Sequence, residues 1–150
     1  MVEKTREQAK RNSTPSYAII DSQSVKTVYN GKEIGFDGNK KIKGRKRHIV
    51  VDTMGNLLSV FIHAANIHDS KSGIFPAYSS CIKYPTIKRF CTDAGYRGIF
   101  VKDAEVILGR EVDISEKIKP HQWEKLKWRW VVERTFRWFN AFRRLSKDYE

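Results

Sequence analysis

The sequence predicts a mixed α/β domain: a sheet covered by helices, the last of them long and amphipathic. Three observations lead there. Short apolar runs bounded by turn residues recur through the first two-thirds of the chain. Residues 47–51 and 57–63 flank a segment with hairpin-turn chemistry. The last third repeats its apolar residues with a helical period. At 150 residues the chain suits one domain with a sizeable core and is short for two.

Taken in order, residues 1–16 are polar, and Asn12-Ser13-Thr14-Pro15-Ser16 reads as a linker. Residues 17–20 form a short buried strand that ends at Asp21. Residues 29–44 carry glycines without a steady period and read as a mobile loop that turns basic. The strands at 47–51 and 57–63 are joined across Asp52-Thr53-Met54-Gly55-Asn56. Residues 69–79 form a helix with Asp69 near its cap, and residues 88–92 a strand ending at Asp93. Gly95 and Gly98 let the chain turn sharply afterwards. Residues 101–114 read as a helix end followed by a strand. Pro120 opens the long helix, which runs to about residue 145.

On that helix Trp128, Val131, Val132, Thr135, Phe136, Phe139, Phe142 and Leu145 share one apolar arc, which should face the sheet. Arg129, Glu133, Arg137, Asn140 and Arg144 form the opposite, polar stripe, and Trp130 lies on that polar side without a core to explain it.

Composition narrows the function. The chain carries 29 basic and 17 acidic residues, a formal net charge of +12. Such an excess favours nucleic acid over an anionic membrane when no lipidation motif or separate amphipathic anchor is present. No apolar run approaches the roughly 20 residues a membrane helix needs, and the N-terminus has no signal-peptide core. Cys81 and Cys91 are spaced unlike a zinc motif and imply reduced thiols inside a cell. His63, His68 and Asp69 likewise match no strong zinc spacing. The charge is clustered: Lys40, Lys41, Lys43, Arg45, Lys46 and Arg47 crowd one segment, and a second basic run surrounds Glu133. Each run is equally consistent with a solvated surface or with phosphate contacts.

Three acids stand where a rigid site needs them. Asp21 and Asp93 each close an apolar run, and Glu133 sits on the packed helix. Phosphodiester chemistry needs an activated oxygen and an offset for charge on the phosphate, which two divalent ions held by hard carboxylate oxygens supply. Asp52 also ends a strand, but its place before Gly55-Asn56 marks it as a turn former. The plain alternative for Glu133 is a pair of surface ion pairs with Arg129 and Arg137, worth about 0.2–0.5 kcal/mol each. The residues alone leave both readings open.

Five stretches carry a family resemblance: AIIDSQSVKT from Ala18, GNKKIKGRKRHIVVDTMGNLL from Gly38, DAGYRG from Asp93, RWVVERTF from Arg129, and RRLSKDYE from Arg143. Together they resemble the insertion-sequence DDE transposases, closest to the family-five branch of the family-four-like superfamily. The likeness spans residues 16–150 with its motifs in the family's order. It implies a ribonuclease H-like catalytic core that binds two Mg²⁺ or Mn²⁺ ions, cuts DNA at transposon ends and joins the 3′ hydroxyls to target DNA. Asp21, Asp93 and Glu133 match the three metal-binding acids, and Arg129 the arginine one helical turn before the glutamate.

The same resemblance implies double-stranded DNA as partner, contacted by the basic segment 40–47 with Arg97, Arg134, Arg137, Arg143 and Arg144. It further implies a homo-oligomer on DNA, a bacterial cytoplasmic, nucleoid-associated setting, and a catalytic domain over residues 17–150 that is truncated at both ends relative to the family. A product of an upstream overlapping frame is a further expected partner. Two positions depart from the pattern. Asn140 stands where relatives have lysine, and Leu126-Lys127-Trp128 where they usually have proline. A remnant that binds DNA without cutting it, and another nuclease of the same fold, are the rival readings.

Overall fold

The computed structural model describes residues 1–115 and 128–149. Among the described residues the centre is a six-stranded mixed sheet built from β1 (Tyr17–Lys26), β2 (Gly35–Asp37), β3 (Ile42–Asp52), β4 (Leu57–Ala64), β5 (Arg89–Asp93) and β6 (Glu111–Ser115). The order is β2-β3-β1-β5-β6, with β4 also paired to β3. β1, β5 and β6 run parallel, while β3 runs antiparallel to β1, β2 and β4. This is the predicted mixed α/β class.

Alternation along β1 divides the core. Ala18 and Ile20 join Val50, Phe90, Tyr96 and Phe100 on one face. That face is covered by α3 (Ile74–Lys83), preceded by α2 (Asp69–Ser72), and by α4 (Ile99–Asp103), which continues into a π-helical turn at Ala104–Leu108. Ile19 points the other way, with Ile49, Val51 and Cys91, against Val131, Val132 and Phe136 of α5 (Arg129–Ala141).

Several sequence expectations need correction. Residues 1–16 are more than a linker: α1 (Val2–Gln8) sends Arg6 into the fold, where it meets Asp52 at 2.7 Å. β1 continues past Asp21, because its antiparallel ladder with β3 runs on to Lys26↔Gly44. The basic loop holds β2, and β3 begins at Ile42, since a glycine-rich, lysine-rich segment can still pair when its backbone finds a partner strand. The helix over residues 69–79 is two helices divided at Gly73; His68 caps the first, with Asp69 next to the cap as expected.

The long helix is also shorter than expected. Trp128 is left-handed, at φ 72°, and α5 starts after it; the expected stretch 120–127 lies outside the described residues. Phe142 is extended, which separates α6 (Arg143–Ser146) from α5. The apolar arc therefore stops packing near Phe139, and Phe142 and Leu145 are exposed.

The Asp52 turn matches its reading. Its carboxylate accepts from the backbone N–H groups of Met54 and Asn56, both at 2.9 Å, and from the Asn56 side chain at 2.9 Å. Gly44 marks a closer approach. A Cβ there would sit 2.0 Å from the Val25 carbonyl oxygen. Gly44→Ala should part β3 from the end of β1 and lower stability by about 1–3 kcal/mol in a urea titration. An unchanged midpoint would contradict this packing.

Candidate active site

The parallel ladder between β1 and β5 pairs Tyr17 with Arg89, Ala18 with Phe90 and Ile19 with Cys91. The same register, carried two residues further, sets Asp21 beside Asp93. Because side chains alternate, both acids share the face of Ile19 and Cys91, the face that α5 covers. The sheet thus brings together two of the predicted acids, and α5 brings the third residue set, Arg129 and Glu133, to the same side.

The electrostatics are those of a crowded acid pair. Burial, then the negative charge of Asp93, push the Asp21 carboxyl up to about 7; the Ser22 N–H, Arg129 and Lys40 pull only partly the other way. Ser22 donates its backbone N–H to Asp21 at 2.7 Å. Asp93 accepts from Gly95 N–H at 2.9 Å and so caps the 3₁₀ turn Ala94–Tyr96 that follows β5.

Arg129 lies among these groups. Its Nη2 is 3.4 Å from Glu133 Oε1 and 4.0 Å from Asp93 Oδ2. Glu133 remains half exposed. Among the described residues, no group of three or more His, Cys, Asp and Glu side chains is gathered tightly enough to hold an ion. Asp21 and Asp93 nevertheless fit a hard divalent cation in donor chemistry, and their mutual repulsion is incompletely offset by the protein. The third acid is held off in an ion pair with Arg129.

The basic residues divide into an exposed set and a set committed to the fold. Lys40, Lys41 and Lys43 are exposed, with Lys40 Nζ 3.4 Å from the Ser22 carbonyl oxygen, one residue from Asp21. Arg97, Arg137, Arg143 and Arg144 are exposed too. Three of the expected DNA contacts are instead bound into the fold. Lys46 is buried, 2.9 Å from Asp69 and 3.7 Å from Asp37. Arg47 is buried over the Phe139 ring and donates to the Gln23 side chain and, at 2.7 Å, to the Leu145 carbonyl. Arg134 stacks between Trp130 and Trp138, 4.9 and 5.0 Å from their centroids, and donates to the Met54 carbonyl at 2.9 Å. Arg45 spans both sets, half-exposed and 3.5 Å from Asp148. Isolated charges cannot remain buried, so lysines and arginines that reach the interior acquire acids, carbonyls or rings. The stacking of Arg134 also explains Trp130 on the polar side of the helix.

Asn140, in the family's lysine position, accepts from the Gln23 side chain at 3.4 Å and lies 3.5 Å from Arg47 Nη2. Arg47 therefore places a cation near that position. Sequence reasoning missed a polar group beneath the acids: the buried Tyr96, His48 and Ser72, with the partly exposed Asp69 at its edge. The Tyr in DAGYRG was its one visible signal.

The transposase DDE domain family model matches residues 12–150. A Burkholderia cepacia protein named as a transposase for insertion sequence element IS402 is 31% identical over 114 residues, covering 71% of this chain and 54% of that protein. The chain spans about half the length of this curated relative. Among solved structures, the catalytic core domain of BIV integrase superposes with a TM-score of 0.50 at 12% identity, covering 84% of this chain and 67% of that one. The sheet is thus of the ribonuclease H-like kind. A piggyBac transposase synaptic complex with hairpin DNA gives a TM-score of 0.47 at 11% identity, over 73% of this chain and 24% of that one.

Proposed function

The chain belongs to the transposase DDE domain family, and from that premise we propose that residues 17–150 form a catalytic core for metal-dependent cleavage and transfer of DNA strands. Its setting is the movement of an insertion sequence. The finer placement, in the family-five branch, rests on motif likeness alone. Divalent metal is the family's general cofactor; two Mg²⁺ or Mn²⁺ ions are our assignment, with Asp21, Asp93 and Glu133 as ligands. When bound, such ions activate the attacking oxygen and offset charge on the phosphate and leaving oxygen.

The chain's own groups do the rest. Asp21 and Asp93, carried just beyond the paired residues of neighbouring parallel strands, hold two carboxylates at one end of the sheet. Arg129 competes for Glu133 and, when released, presents a guanidinium to the scissile phosphate. Lys40, Lys41, Lys43 and Arg137 line up DNA through its phosphates, which positions a duplex without reading its sequence. The partners in this reading are transposon ends and target DNA, engaged by a homo-oligomer, with an upstream-frame product as a further partner.

The observation that carries the proposal is the parallel register that brings Asp21 and Asp93 side by side on the face covered by α5, with Arg129 4.0 Å from Asp93. Asp93→Asn tests it. Mg²⁺-dependent nicking of a duplex bearing the element's ends should fall by at least roughly 100-fold, more than loss of a group outside the metal's own ligands. Undiminished nicking would overturn the assignment. Recovery of joined strands, and not only hydrolysed ones, separates a transposase from a nuclease.

A further inference from the structure

Backbone pairing does not by itself fix the distance between the two aspartates. The residue pairs linking β1 to β5 end at Ile19↔Cys91, and both acids lie beyond them. Something else must hold the strands there.

We infer that Tyr96 is the positioning residue that sets this separation, acting as a brace from the turn after Asp93 to β1 and β3. The inference rests on the reading of Asp21 and Asp93 as cation ligands. Asp93 caps the turn that delivers Tyr96 three residues later. The ring is fully buried, edge-on to His48 at 5.8 Å and to Phe100 at 5.3 Å. Its hydroxyl lies 2.8 Å from His48 Nδ1 on β3; His48 is paired across the ladder with Ser22, the residue after Asp21 on β1, and the Ser22 side chain interacts with the same hydroxyl.

The brace is anchored from behind. His48 Nε2 meets the Ser72 hydroxyl at 3.0 Å, and burial keeps the imidazole neutral, with its carboxyl neighbour Asp69 only partly opposing. A neutral ring offers one donor and one acceptor, and both nitrogens are used. Gly73 leaves no slack: a Cβ there would stand 2.7 Å from Tyr96 Cε1. A phenylalanine would fill the same space, so the hydroxyl is present for its bonds. A buried polar network that ties a tyrosine hydroxyl to an imidazole in this way specifies one geometry.

The test uses the full 150-residue chain and Mn²⁺ alone, with affinity from calorimetry, the bound-ion spectrum from electron paramagnetic resonance, and melting curves as a control. Tyr96→Phe and Ser22→Ala should each weaken Mn²⁺ binding by about 10-fold or more and alter the spectrum, while melting remains cooperative. The double variant should bind no more weakly than Tyr96→Phe, because both changes break one brace. Wild-type affinity in Ser22→Ala overturns the inference, and that variant decides alone if Tyr96→Phe fails to fold. Asp93→Asn separates the two levels. If it binds Mn²⁺ normally, the site itself is misassigned; if it loses the ion while Ser22→Ala and Tyr96→Phe do not, only the brace falls.

Discussion

Replacing Asp21 with asparagine will stabilise the metal-free chain at neutral pH and abolish metal-dependent strand cleavage. The two effects share one cause. Burial and Asp93 raise this carboxyl from 3.8 to about 7. Between those values the folded chain holds a proton that the unfolded chain has released, so stability falls as pH rises through the window, and above it the loss is complete. Asparagine keeps the shape and removes the charge. Allowing for the partial exposure of Asp21, the gain near pH 7.5 is on the order of 2 kcal/mol. A bound divalent cation reverses the sign, since it favours the carboxylate and releases the proton. Melting temperatures from pH 4 to 8, with and without Mg²⁺, check this. Wild type should lose stability toward pH 8 and regain it with Mg²⁺, and the variant should do neither. Parallel pH profiles for the two proteins would dispose of the idea.

Asp52→Ala will bring the largest loss of stability. Asp52 is fully buried, 2.7 Å from Arg6 Nη1, and also receives the Met54 and Asn56 donors of the β3–β4 turn. Truncation leaves the Arg6 guanidinium buried without its carboxylate, a change that costs about 3–5 kcal/mol. Arg6→Met should cost less, because the remaining carboxylate keeps its turn donors. Urea unfolding of both variants decides the order. If Asp52→Ala lost under about 1 kcal/mol, the N-terminal helix would not be docked as described.

Much of the site was legible beforehand for a simple reason. Strand alternation is local, so an aspartate two residues beyond a core residue takes the same face as that residue. Ile19 with Asp21, and Cys91 with Asp93, follow that rule. The apolar arc of α5 likewise put Val131, Val132 and Phe136 on the sheet. Less legible was the fate of the basic run at 40–47. Lys46 and Arg47 look no different in sequence from Lys41 and Lys43, yet they are buried among Asp37, Asp69, Gln23 and the Leu145 carbonyl. Those partners come from distant segments, and composition carries no trace of them. The limits of β1 and α5 failed for a related reason. Ladder bonds to β3 extend β1 beyond its apolar run, and the left-handed Trp128 starts α5 where the side-chain period gives no signal.

The sequence by itself determined the mixed sheet, an aspartate at the end of each of two apolar strands and a helix bearing Arg129 and Glu133, because periods of two and 3.6 are properties of the backbone. Only the tertiary structure decided which cations are spent on the fold, that Arg129 stands between Asp93 and Glu133, and that Tyr96 reaches Ser22 and His48. Those are encounters between remote segments, and desolvation makes each of them depend on every partner being in place.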